Sequence, residues 1–209
     1  AAMNIQMFIR GWLVYEITAS YEKLGWMTAA GGLVGLFAAP LGGVVADRVR
    51  QKKVVLQISG VANALITFWI AALIYRGELV FGHLLVSSIL QGIVMNAMMP
   101  ARQAFTKDIV GLNRLTNAIG LSTSGMNTAR LLLPGLAGGL VAALGGGNGN
   151  IDPAQWVYLL MAGLYLWSAA LMSFIQVDDK ADADMPTGSM MVELRLGFQY
   201  VLDTPVILM

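Results

Sequence analysis

The stretch VVLQISGVANALITFWIAALIY, residues 54–75, carries no charged side chain between Lys53 and Arg76. A helix rises about 1.5 Å per residue and a bilayer's hydrocarbon core is about 30 Å thick, so an apolar run of this length can span it. A strand is excluded because the run is far longer than strands are. Outward from it, segments 1–18, 25–46, 79–99, 116–144 and 155–176 have the same character. Segment 116–144 is long enough to tilt or to extend beyond the core. The sequence therefore predicts an all-α membrane protein with a six-transmembrane-helix bundle over 1–176. A polar, Asp-containing linker with Pro186 and Gly188 follows over 177–200, ending in an amphipathic stretch, Glu193 to Val201. Residues 201–209 read as the start of a seventh helix. Both ends fall inside apolar stretches, so the first helix is expected to lack its start and a second bundle is expected to follow.

Composition narrows the function. The chain is 57% hydrophobic and 12% charged, against about 45–50% apolar and about 25% charged in soluble domains. A net charge of +1 gives no field for nucleic acid. With no cysteine and a single histidine, His83, disulfides, thiolate metal sites, cysteine nucleophiles and multi-histidine centres are excluded. There is no Gly-rich phosphate loop with its Lys and Ser/Thr, so the chain itself does not hydrolyse ATP by that device. Ser124 and His83 are the pieces of a serine dyad, but His83 opens the fourth segment near the outside while Ser124 lies in the cytoplasmic half of the fifth, too far apart for a dyad. His83 reads as an interfacial residue. No enzyme, cofactor or metal is expected.

The connections alternate in charge. One set holds Arg48, Arg50, Lys52, Lys53, Arg102, Lys107, Arg114, Lys180 and Arg195; the other holds Lys23 and Arg76. The positive-inside rule makes the first set cytoplasmic. It predicts a cytoplasmic N-terminus, with 47–53, 100–115 and 177–200 inside. Residues 19–24, 76–79 and the Gly/Asn-rich loop 145–154 are then outside. Trp26, Trp156 and Tyr158 fall near predicted helix ends, where aromatic belts form.

Two Pro/Gly clusters occupy corresponding places if segments one to three and four to six are repeats: Pro40-Leu-Gly42-Gly43 and Pro134-Gly-Leu-Ala-Gly138-Gly139. Consecutive three-helix units run in opposite senses, the inverted-repeat pattern of many carriers. Such residues also serve close helix packing alone.

Between segments two and three lies Gly43-Val-Val-Ala-Asp47-Arg48-Val-Arg50-Gln51-Lys52-Lys53. An acid followed by bases at a membrane edge can form and break ion pairs as helices rock, although four bases also simply obey the inside rule. The stretch resembles the loop signature of the major facilitator superfamily, Gly-x-x-x-Asp-Arg-x-Gly-Arg-Lys. Gly43, Asp47, Arg48 and Lys52 match, while Arg50 and Gln51 replace the second glycine and the following base. Further stretches resemble the enterobactin-exporter and macrolide-efflux branch. They are Trp12-Leu-Val-Tyr-Glu-Ile-Thr18, Pro100-Ala-Arg-Gln-Ala-Phe105, Leu115-Thr-Asn-Ala118, and Ala129-Arg130 with Pro134 to Gly138.

This resemblance covers nearly the whole chain. It implies the N-terminal half of a twelve-helix fold built from 3+3 inverted repeats, in a prokaryotic inner membrane. It also implies alternating-access export of an amphipathic organic solute (a siderophore, a macrolide or another drug-like compound), with protons as the driving ion. By the same resemblance Gly43, Asp47, Arg48 and Lys52 form a conformational latch against the missing half, with Arg102 a possible second partner. One departure concerns Leu-x-x-x-Arg-x-x-Gln-Gly, frequent on the fourth helix of drug antiporters. Leu84 and Gln91-Gly92 fit, but Ser88 replaces the arginine linked to proton coupling there. Leu133 likewise replaces the glycine that often precedes the fifth-helix proline. A second function class stays open: a non-transporting membrane scaffold, or a membrane domain partnering a separate ATPase.

Two arginines fall inside predicted spans, where a protein or water environment is expected because lipid costs arginine about 2.5–3.5 kcal/mol at mid-bilayer. Gly120, Thr123, Asn127, Arg130 and Pro134 follow spacings of three and four and form one stripe. That stripe faces either an aqueous cavity or a neighbouring helix. Arg10 shares a face with Gln6 and either lines the path or snorkels to a surface. On the fourth helix Gln91, with Ser88 and Met95 on its face, is preferred over Asn96. The expected translocation path is thus Arg10, Ser88, Gln91, Thr123, Asn127 and Arg130, with Pro40, Gly42, Pro134, Gly138 and Gly139 packing helices.

Overall fold

The computed structural model describes residues 2–48, 52–111 and 114–174, excepting the side chains of 36–48 and 108. The predicted linker 177–200 and the start of a seventh helix, 201–209, lie outside the described residues. Among the described residues six helices follow one another: α1 (Ala2–Thr18), α2 (Tyr21–Arg48), α3 (Lys52–Tyr75), α4 (Phe81–Val110), α5 (Leu115–Ala143) and α6 (Ala154–Phe174). Each coincides with an apolar segment of the sequence. α3, α4 and α6 are long and apolar enough to cross a membrane, with mean hydropathies of 1.8, 1.5 and 1.6. α1 is 17 residues long, and the polar stripe lowers the apolar content of α5.

Local chemistry sets the ends. The Ser20 hydroxyl accepts the Lys23 N–H at 3.4 Å, which starts α2 earlier than its apolar run does. Gly77 closes α3 at φ +68°, while the N–H groups of Gly77 and Glu78 bond the carbonyls of Ile74 and Leu73. The His83 Nδ1 accepts the Val80 N–H at 3.4 Å at the start of α4, and its ring stands edge-on to Trp69 at 5.7 Å. α4 was expected to end near Met99, yet it runs through Pro100 to Val110. The proline forfeits one backbone bond. Ala101 and Phe105, buried with Leu56 of α3, hold the turns beyond it.

The main core is built around α1. Ile5, Ile9 and Leu13, four residues apart, put one face of α1 against Ile70 and Ile74 of α3, Leu84 of α4, and Val157, Tyr158 and Met161 of α6. Ala137 and Val141 of α5 close it. Across the bundle α3 packs along α6, α2 along α4, α3 also against α4, and α1 more lightly against α5. Small residues allow the closest approaches. A Cβ on Gly60 would lie 3.2 Å from that of Ala169, and one on Gly92 would lie 3.1 Å from Val34 Cγ1. Leu65 and Phe68 of α3 and Trp167 and Leu171 of α6 stay exposed. Such apolar surface fits lipid.

Candidate functional site

Polar side chains gather in two places. The first is inside the bundle. Gln6 of α1 is buried and donates through Nε2 to Thr67 Oγ1 of α3 at 3.2 Å, while Tyr165 of α6 donates its hydroxyl to Gln6 Oε1 at 3.2 Å. Thr67 donates to its own helix at Asn63 O, 2.6 Å, and Asn63 to Ser59 O, 2.9 Å. One turn along α1, Arg10 points inward rather than snorkelling. Its Nη2 donates to Gln91 Oε1 of α4 at 2.6 Å, a short charge-assisted bond. Gln91 is buried, and its Nε2 has no partner among the described residues. Tyr158 and Tyr165 of α6 are electrostatic neighbours of the guanidinium.

The second place is a groove of about 600 Å³ between α1 and α5. Phe8, Trp12, Tyr15 and Tyr21 give it aromatic walls, Asn4 and Arg130 its polar groups, and Pro134 part of its far side. One turn further along α5, a Cβ on Gly138 would sit 3.2 Å from the Phe8 ring, so its absence lets α1 and α5 close that end.

The expected path residues are therefore divided. Arg10 and Gln91 meet in the interior. Arg130 stands on the groove wall, and Thr123 and Asn127 are exposed further along α5. Ser88 does not join Gln91: its Oγ lies 3.4 Å from where a Cβ on Gly31 would be, which places it against α2. Asn96 turns back on its own helix and donates to Gly92 O at 2.8 Å.

Of the latch residues, Gly43, Asp47 and Arg48 end α2 with side chains outside the described set, as are those of Pro40 and Gly42. Lys52 opens α3. Arg102 is exposed and reaches Ser122 of α5 at 3.4 Å. Among the described residues nothing lies within 4 Å of a Cβ on Gly139, whereas one on Gly138 meets Phe8. Sequence reasoning missed Ser59, Asn63, Thr67 and Tyr165. The first three recur every fourth residue along α3, a periodicity that could have revealed them.

Among the described residues no cluster of His, Cys, Asp or Glu could hold a metal. The polar groups of the two places are amides, hydroxyls and guanidinia, buried around Gln6, Thr67 and Gln91 and exposed along α5.

The chain is 22% identical over 197 residues to the uncharacterized MFS-type transporter YfiS of Bacillus subtilis, covering 93% of this chain and 44% of that protein. It is 29% identical over 126 residues to multidrug resistance protein 2 of the same organism, covering 60% of this chain and 30% of that one. The chain thus spans less than half the length of these curated relatives. No solved structure matches with significance. A family model described as Major Facilitator Superfamily matches residues 1–209, the whole length of the apolar helices and of the loop between α2 and α3. With that match over every helix described above, the chain belongs to the Major Facilitator Superfamily, a family of membrane transporters rather than enzymes.

Proposed function

We propose that the chain is the N-terminal six-helix half of a twelve-helix exporter that moves an amphipathic organic solute across a prokaryotic inner membrane. It works by alternating access and is driven by protons. The observation that carries this reading is the groove between α1 and α5: aromatic walls for an apolar body, with Arg130 for a polar or anionic group. Thr123 and Asn127 extend the polar face along α5, and Arg10 with Gln91 supplies a second polar point deeper in the bundle. The multidrug resistance relative favours efflux.

Helix pairing supports the 3+3 inverted repeat. If α1–α3 and α4–α6 are two copies, α1 corresponds to α4, α2 to α5 and α3 to α6. The α2–α4 pairing then maps onto α5–α1, α3–α4 onto α6–α1, and α3–α6 onto itself, and all of these pairings occur. The basic asymmetry of the connections favours a cytoplasmic N-terminus. Gly43, Asp47, Arg48, Lys52 and Arg102 then lie on the cytoplasmic side, where Asp47 latches the two halves when the carrier is open outward.

The test is efflux of a panel of fluorescent amphipathic dyes from cells expressing the full-length protein. Efflux should collapse with a protonophore. Arg130→Ala should abolish it at unchanged membrane expression. Arg130→Lys should restore it in part, because lysine lacks the planar donor fork. If the wild type moves no dye of the panel, the exporter reading is wrong. If Arg130→Ala removes expression instead, the arginine is structural.

A further inference from the structure

The interior cluster has more donors than acceptors. A guanidinium presents five N–H groups and accepts nothing. Among the described residues Arg10 makes one hydrogen bond, to Gln91 Oε1. Since arginine cannot accept, that bond fixes the amide: Oε1 faces Arg10 and Nε2 faces away. Gln91 is 8% exposed, and its Nε2 is a buried donor with no partner. An unsatisfied buried donor costs about 1–3 kcal/mol. Among the described residues no acid neutralises the cation beside it. The acids whose side chains are described, Glu16, Glu22, Glu78 and Asp152, stand near or beyond helix ends, and none pairs with Arg10.

Both deficits have one remedy. A neutral carbonyl or a water would satisfy Nε2 but leave the charge. A carboxylate offers two acceptor oxygens and the opposite charge, and its planar geometry matches a guanidinium fork. The surroundings set the rest of the ligand. Ile9 and Leu13 flank Arg10 on α1, Leu84 lies two turns before Gln91, and Tyr158 is buried in the same core cluster as Ile9, Leu13 and Leu84. A hydrated inorganic anion would lose its shell there, whereas a carboxylate on an apolar body would not expose that body to water. Arg10 itself is only partly buried, which leaves the cluster a way in.

We propose that Arg10 and Gln91 form a recognition site for the carboxylate of an organic solute, distinct from the Arg130 groove. The inference rests on the exporter reading only in calling that solute the cargo.

The experiment is thermal melting of the purified full-length protein in detergent with benzoate, with benzamide, or with chloride at the same ionic strength. Benzoate should raise the melting temperature in a saturable way, and the other two should not. Arg10→Gln should weaken the apparent benzoate affinity about tenfold or more. Gln91→Glu places a carboxylate beside Arg10 permanently. It should melt higher than the wild type without additive and lose its response to benzoate. That variant decides the matter where Arg10→Gln fails to fold. The site is overturned if benzoate does no more than benzamide or chloride, if Arg10→Gln responds like the wild type, or if Gln91→Glu keeps the full response. Dye efflux measured alongside separates the two readings. Carboxylate binding without efflux would refute the exporter and keep the site; efflux without carboxylate preference would do the reverse.

Discussion

Arg10 of α1 and Arg130 of α5 bear the same charge in one bundle, yet their surroundings differ in kind. Arg10 is drawn inward, bonded to Gln91 across the α1–α4 contact, with tyrosines beside it. Arg130 is exposed on the wall of an open groove. The first is tied to the packing of α1, α4 and α6, so altering it disturbs the fold. The second hangs on one helix that touches the rest lightly, so altering it disturbs what enters the groove. In a membrane helix, an arginine's neighbours rather than its place in the sequence decide how far its role is also tied to the packing.

The sharpest way to break this contrast is Gln91→Leu. It leaves the partly buried Arg10 without its acceptor, and the expected loss is about 1.5–3 kcal/mol, read as lower thermal stability in detergent. A loss as small as that for a lipid-facing residue would mean that Arg10 swings out to water at little cost. Next comes Thr67→Val, which removes the acceptor for Gln6 Nε2 at nearly constant volume. Interhelical hydrogen bonds in membranes are worth about 0.6 kcal/mol on average and up to about 1.7. A buried residue with two linked bonds should fall near the top of that range in the same melt. Gly138→Ala should cost less than about 1 kcal/mol, because the Phe8 ring that its methyl meets is 45% exposed and can yield. Arg130→Ala should change stability by no more than about 0.5 kcal/mol while removing efflux. If it destabilises as Gln91→Leu does, the two arginines are not different in kind.

The positions of the helices were legible because apolar runs broken by charged or glycine-rich connections leave little choice in a bilayer. Where the reading failed, tertiary packing overrode a local signal. The apolar run was bounded at residue 99, before Pro100, but Phe105 and Ala101 find Leu56 across the bundle and the helix continues. The stripe through Thr123, Asn127 and Arg130 was visible from its spacing alone, since all three share one helix. The Arg10–Gln91 bond was not, because it joins residues 81 apart and depends on how α1 lies on α4. Ser88 illustrates the same limit. It shares a helix side with Gln91, but a modest rotation between them is enough for one to face α2 and the other α1.

At the opposite end of α1 from its start, Glu16 accepts the backbone N–H of Gly149 at 2.8 Å. Gly149 belongs to the glycine-rich turn between α5 and α6, whose tip is closed by paired bonds between Gly147 and Asn150. A segment with so little side-chain mass would otherwise flap freely. The carboxylate ties this turn to the end of α1, so the junction of α5 and α6 and the last turn of α1 share one link across 133 residues of sequence.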